Sequence, residues 1–320
     1  MDFELTTDQV DLKEGVRKLA EGRFPMERVR ELEAVGGVDR ALWQELADAG
    51  VFALRIPEGA DGVGLGMAEA ALVFEELGRS LVPGPLVATE VAAQLLPTAA
   101  WGAEVVGMLE RSSYPLVVEH LSVIDRLLVL DNAGVWSVTP DQIEGTPLDR
   151  PTDPLTPVHL LASVPQGEQV GDAGAVERLR LEGTILTAAF LVGSAQAVTE
   201  LAVEYVKGRE QFGRPIGSFQ AVKHILADMA TRASVAQAAV YAAGVTLDDP
   251  EVGDPVRAAS AAKVMAGDAA VRNAKGAIQV HGGMGFTWEV DAHLHLKRAW
   301  LLDTQFGSVD HHAEVLAHLL

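Results

Sequence analysis

The sequence contains no cysteine, which excludes disulfides, thiolate metal sites and thiol nucleophiles. Aromatic residues make up only 5% of a chain that is 48% hydrophobic, so its interior must be filled by Ala, Leu and Val, a composition suited to helix packing. Positive charge is short too: 25 Lys and Arg stand against 45 Asp and Glu, a formal net charge of −20. Such a field repels nucleic acid and anionic lipid, so neither is an expected partner. No apolar run approaches the ~18–20 uncharged residues of a membrane span. The opening, MDFELTTDQVDLKEG, is acidic and lacks the basic-then-apolar layout of a secretion signal, so a cytoplasmic protein is expected.

Helical patterns occupy both ends of the chain, and the middle reads as strands. Thr7 or Asp8 can cap a first helix, and Gly50 closes a second over Arg40–Ala49. A third is expected over Met67–Leu81 and a fourth from Leu86 to Leu96. Adjacent residues on a helix point apart, so Glu75-Glu76 reads as a solvated face rather than an acid/base pair. Short strands are expected at Pro115–Glu119, Arg126–Leu130, Val135–Val138 and Thr156–Ala162, with Asp131-Asn132-Ala133-Gly134 as a hairpin turn. Pro140–Pro157, with its five prolines, reads as loop. Beyond it the pattern predicts helices over 184–207, 218–247, 255–280, 288–304 and 308–319. The fold class is therefore mainly α with a small central β domain. The divisions are 1–100 (helical), 101–178 (β) and 179–320 (helical bundle). His281, His293, His295, His311 and His312 lack carboxylates in metal-type spacing and read as solvated or packed, so no metal is expected.

The chemistry concentrates in Arg209–Met229, REQFGRPIGSFQAVKHILADM. Gly213, Pro215 and Gly217 end one helix, and Ser218 is placed to cap the next. Arg209, the free N–H groups after Ser218 and the Gln220 amide then converge on one small volume, as a pyrophosphate site requires. The same spacing fits a plain helix–loop–helix with a surface arginine, and spacing alone leaves the two readings level.

The string RxQFGxPIGxFQAVKHxLADM resembles the flavin-contacting segment of the acyl-CoA dehydrogenases. A second string, Gln279-Val-His-Gly-Gly-Met-Gly-Phe286, resembles that family's adenine-side motif. The resemblance implies an acyl-CoA dehydrogenase-like fold, FAD as cofactor and an acyl-CoA substrate. It implies FAD contacts at Arg209, Gln211, Phe212, Phe219, Gln220, Gln279, Gly282 and Gly283, most of them reaching a neighbouring subunit's FAD. In the family a carboxylate removes the α-proton while hydride leaves the β-carbon for the flavin. Counted from Gln279 without gaps, one family station for that base falls on Phe306. The other, counted back from Arg209, falls on Gly183. Glu182 is one residue away, about 100° of helical rotation, and serves only in a register shifted by one. The family's Thr-Glu-Pro segment, which seats the flavin ring, has no counterpart between Leu96 and Arg126.

These losses resemble the short subunit of actinobacterial, steroid-degrading heterotetrameric acyl-CoA dehydrogenases. They imply a longer dehydrogenase subunit as partner in an α2β2 assembly that shares FAD across the interface. Two alternatives stand beside this: a homo-oligomeric active dehydrogenase using Glu182, and a non-enzymatic helical scaffold.

Overall fold

A computed structural model describes residues 4–319. The elements in chain order are α1 (Thr7–Arg23), α2 (Met26–Glu31), α3 (Arg40–Asp48), α4 (Met67–Arg79), α5 (Leu86–Ala92) and α6 (Pro97–Ala100). Seven strands follow: β1 (Val106–Glu110), β2 (Leu116–Glu119), β3 (Arg126–Asp131), β4 (Gly134–Val138), β5 (Gly145–Pro147), β6 (Val158–Leu161) and β7 (Glu168–Gly171). The remainder is α7 (Ala173–Gly208), β8 (Glu210–Gln211), β9 (Arg214–Pro215), α8 (Gln220–Asp248), α9 (Pro255–His281), α10 (Ala292–Asp303) and α11 (Val309–His318). The described chain forms two compact units, one of residues 4–26, 71–82 and 184–319, the other of 27–70 and 83–183.

The second unit is built on two small sheets. One has the order β1-β3-β4-β7 and the other β2-β6-β5. The β3–β4 hairpin forms at the expected turn, where the Asp131 carboxylate accepts from the N–H groups of Ala133 and Gly134. Leu127 to Leu130 of β3 are fully buried in sequence, so both faces of this strand are covered. Strands β1, β5 and β7 were not expected from the pattern. β7 reads Glu-Gln-Val-Gly and lies at a sheet edge, where polar residues are tolerated, and β5 is three residues long at the other sheet's edge and ends on Pro147. The stretch expected to be loop over 140–157 therefore contains a strand.

The first unit is a helical bundle. Thr6, one residue ahead of the expected cap, closes a capping box with Gln9 at the start of α1. α8 and α9 form a hairpin whose return is fixed by the Asp254 carboxylate, which accepts from Val256 and Arg257, with Pro255 at the first helical position. Buried alanines along α9 let its neighbours approach closely. α4 and α7 come closer still: a Cβ at Gly193 would fall on the Glu75 carbonyl oxygen, and one at Gly78 on that of Phe190. Helix α7 begins at Ala173, well before the expected 184, because the Asp172 carboxylate caps it through the Ala175 N–H. Among the described residues, α7 is the one helix long and apolar enough to cross a membrane, and 78% of its apolar window is buried within the protein. It is a core helix in this fold, although its apolar run is longer than the sequence reading allowed.

The Glu75-Glu76 reading is corrected by the structure. Both side chains are buried rather than solvated. Glu75 accepts from Lys13 Nζ at 2.8 Å, the Tyr241 hydroxyl at 2.7 Å and the Gln237 amide at 2.8 Å. Glu76 takes a two-pronged bond from Arg17, each prong 2.8 Å. Burial beside Glu75 pushes the Tyr241 hydroxyl well above its ordinary pKa, so it stays a donor.

Candidate functional site

The first motif folds as a hairpin between α7 and α8. β8 and β9 pair Gln211 with Arg214, leaving Phe212 and Gly213 as a two-residue turn, both at positive φ (53° and 76°). Gly213 takes this conformation freely, but a phenylalanine does not, and Phe212 is also 92% exposed. A strained, solvent-facing aromatic ring is costly in isolation, and its geometry suits contact with something outside this chain. Phe212 meets the edge of Phe219 at 6.2 Å, and the Arg214 guanidinium lies over the Phe219 ring at 4.1 Å. Arg209, Gln211 and Gln220 are exposed around this cluster.

The expected cap is displaced. Ser218 belongs to a 3-10 turn over Ile216–Ser218, and Phe219 occupies the N-cap of α8 with no side-chain hydrogen bond to the helix. The first-turn N–H groups of α8 thus have no capping side chain, which leaves them to solvent or to an anion.

The second motif ends α9. Gly282 closes that helix at φ 62°, its N–H bonded to the Gln279 carbonyl. Gly282 and Gly283 are exposed, and a Cβ at either would meet nothing within 4 Å, so backbone there is open to close approach. Gly285 is different: a Cβ would strike the Ile278 carbonyl, which folds the 3-10 turn Gly282–Phe286 back onto α9. The two motifs meet where Tyr205 of α7 stacks on His281 of α9, ring centroids 4.1 Å apart. Beneath them lies one core of Ala202, Met229, Ala277, Ile278 and Leu296, drawn from α7, α8, α9 and α10. All eight sequence-derived contact residues therefore belong to one end of the first unit. Arg214 and Tyr205 were missed. Arg214 lies inside the motif string, but its stacking on Phe219 depends on a hairpin that periodicity does not signal.

This donor set fits a dinucleotide. It offers guanidinium groups and an uncapped helix start for phosphate oxygens, three glutamine amides for ring or sugar edges, and an exposed aromatic ring for stacking.

The positions the resemblance points to for a base, Phe306 and Gly183 with its neighbour Glu182, lie in different settings. Phe306 sits at φ 52°, in a turn held by its neighbours: its carbonyl accepts from Thr184 Oγ1 at 3.2 Å and from His312 Nε2 at 2.8 Å. Lys263 Nζ donates to the carbonyls of Leu302 and Gln305 in the same turn. Glu182, in the second unit, is 4% exposed and bound to Arg55 through both oxygens, at 2.8 and 2.9 Å. Glu90 grips the other edge of the same guanidinium, at 2.8 and 3.0 Å. Burial pushes the Glu90 carboxyl above its ordinary pKa against the pull of Arg55, while the two carboxylates overcome burial to keep Arg55 charged.

The histidines are packed or stacked. His281 bonds through Nδ1 to the Ala277 carbonyl, His295 to Ser194 and His312 to Ser260. Burial lowers His295 to a pKa of about 3, so its ring is neutral. Among the described residues no three His, Cys, Asp or Glu side chains gather as a metal site.

Comparison with known proteins places this architecture. Residues 6–105 match "Acyl-CoA dehydrogenase, N-terminal domain" and residues 175–320 match "Acyl-CoA dehydrogenase, C-terminal domain". The chain is 34% identical over 275 residues to acyl-CoA dehydrogenase IpdE2 of Mycobacterium tuberculosis, covering 82% of this chain and 81% of that one. In fold it is similar to a chain of the ChsE4–ChsE5 complex from Mycobacterium tuberculosis, with a TM-score of 0.83, 24% identity, and 99% and 98% of the two chains covered. It is equally similar to a chain of the Tcur3481–Tcur3483 steroid acyl-CoA dehydrogenase, with a TM-score of 0.83, 23% identity, and 98% and 97% covered. The chain belongs to the acyl-CoA dehydrogenase family. That places it among the FAD-dependent oxidoreductases of CH–CH bonds.

Proposed function

We propose that this chain is the half-site subunit of a heteromeric, cytoplasmic acyl-CoA dehydrogenase, completing the FAD site of a longer partner in an α2β2 assembly. The substrate class is a CoA thioester dehydrogenated at its α and β carbons, with a steroid-derived acyl group the favoured one. On this reading the functional divisions are 1–100, 101–178 and 179–320.

The observation that carries the proposal is an asymmetry of exposure. The first unit turns Arg209, Gln211, Phe212 and Gln220 outward, while Phe306 stands where a base is needed and Glu182 is locked on Arg55. A carboxylate with both oxygens held by a buried guanidinium is a poor acceptor for a substrate proton, since protonating it breaks the ion pair. FAD held at this site would supply the acceptor for a hydride from the β-carbon. This chain's part would be to hold it: Arg209 would offset pyrophosphate charge, the first turn of α8 would donate N–H groups, and Gln279 with the open backbone of Gly282 and Gly283 would receive the adenosine end. Fold neighbours drawn from two-protein complexes, matched over nearly their whole chains, support the need for a partner.

The test is co-expression with a full-length dehydrogenase that carries the Thr-Glu-Pro segment, followed by native mass and flavin content. A hetero-oligomer with one FAD per pair of chains is expected. A yellow, dye-reducing protein from this chain alone would overturn the proposal in favour of a homo-oligomer using Glu182, and a colourless chain that ignores its partner would leave a scaffold.

A further inference from the structure

The second unit contains a cavity of about 330 Å³, lined by none of the eight residues proposed to hold the flavin. Its walls are apolar, with Ile56, Pro57, Ala93 and Trp101 among them, and its polar groups are the Arg55 guanidinium and the Gln94 amide. The volume lies at the lower end of the ~300–1,000 Å³ range of small-molecule sites, which are likewise apolar with a few placed polar groups. Trp101 is 43% exposed and Gln94 is exposed, so both border solvent, whereas the Arg55 side chain is 8% exposed.

Charge decides what the cavity accepts. Arg55 is already shared by two carboxylates, Glu90 along its Nε–Nη2 edge and Glu182 along its Nη2–Nη1 edge. These forks engage four of the five N–H donors of a guanidinium and leave one on Nη1. One guanidinium thus serves two carboxyl groups, and burial already pushes the Glu90 carboxyl above its ordinary pKa. An entering carboxylate would be a third carboxyl group at a single guanidinium with one N–H left, and that one donor returns less than the hydration a full charge loses. A carbonyl oxygen needs only one donor and brings no charge. We propose that this cavity binds a neutral, mainly apolar molecule of ring size bearing a single carbonyl, and rejects the corresponding carboxylate.

The assay uses the full chain without flavin or partner, so its failure and that of the half-site proposal are separable. Trp101 fluorescence is titrated with a saturated tricyclic ketone, perhydrophenanthren-2-one, and with perhydrophenanthrene-2-carboxylate, using Trp101→Phe to subtract the other tryptophans. The ketone is expected to saturate the signal and to bind at least ~10-fold more tightly than the carboxylate, the cost of adding one unpaired charge beside the cluster. Ala93→Leu, which fills the cavity, should remove ketone binding, and the exposed Gln94→Leu should weaken it severalfold. Equal or tighter binding of the carboxylate would overturn the proposal. So would a flat titration up to the ketone's solubility, or wild-type ketone affinity in both variants.

Discussion

Lys263 offers a quantitative test of how the turn at Phe306 is held. Its side chain is fully buried on α9, with Nζ donating to the Leu302 carbonyl at 2.9 Å and to that of Gln305. Burial pulls its pKa from an ordinary 10.5 down to about 7, with the Asp303 carboxylate opposing the shift. The folded state therefore binds this proton less tightly than the unfolded chain. Between pH 7 and 10.5 folding releases the proton, and stability rises with pH. The destabilisation is fully present below pH 7 and fades on the alkaline side. At 1.36 kcal/mol per unit, and with Lys263 half-protonated at pH 7, the gain from pH 7 to 9 integrates to about 2 kcal/mol. Urea unfolding at pH 7, 8 and 9 reads this as a rising midpoint with constant slope. Lys263→Met keeps the side-chain length and should remove the pH-dependent increment, though it costs the two carbonyls their donor. Groups common to both proteins cancel in the comparison. A flat wild-type profile, or the same rise in the Met variant, would refute the assignment.

Three further outcomes are expected. Arg55→Met leaves Glu90 and Glu182 buried without a counter-charge, so unfolding stability should fall by ~3–5 kcal/mol at pH 7.5, and by less as the pH falls, since burial already pushes the Glu90 carboxyl up; a pH-independent loss would contradict the ion cluster. Arg209→Ala removes a cation from the proposed pyrophosphate site and should lower flavin retention by the co-expressed complex, measured as bound FAD after gel filtration, with unchanged flavin content counting against the site. Phe306→Glu in this chain alone should give no thioester oxidation, because a base without a seat for the flavin ring completes no site; robust activity would show that the middle of the chain holds such a seat.

How much of this was legible depended on whether the signal was local. The β3–β4 hairpin was readable because Asp131 to Gly134 is itself the turn, and α9 because Asp254-Pro255 fixes its start within two residues. Strand β1 was not, since Val106–Glu110 is short, contains a glycine and owes its pairing to β3, some twenty residues on. Ser218 misled because a good capping residue lies one position upstream of the true cap, and the 3-10 turn that displaces it is set by the hairpin before it. The eight positions proposed for the nucleotide were read from motif strings. The Tyr205–His281 stack at that end pairs a ring inside the second string with one outside both, so neither string announces it.

Glu75 and Glu76 show the limit most clearly. The rule that neighbouring helix residues face apart is correct, and the structure obeys it: the two carboxylates take different partners. The error lay in assuming that α4 has a wet side. Residues 70–77 of α4 are buried without a break, so both directions lead inward. The informative signs were Lys13 and Arg17, one helical turn apart on α1, and the glycines that bring α4 against α7. The Phe306 turn obeys a related logic. Thr184, Lys263 and His312 all hold it through backbone carbonyls, and because a carbonyl only accepts, His312 must carry its proton on Nε2. None of these bonds involves the side chain at 306, so the fold places no demand there for a carboxylate. What the turn does demand is a left-handed backbone, φ 52° at residue 306, which any side chain other than glycine's adopts only at a cost.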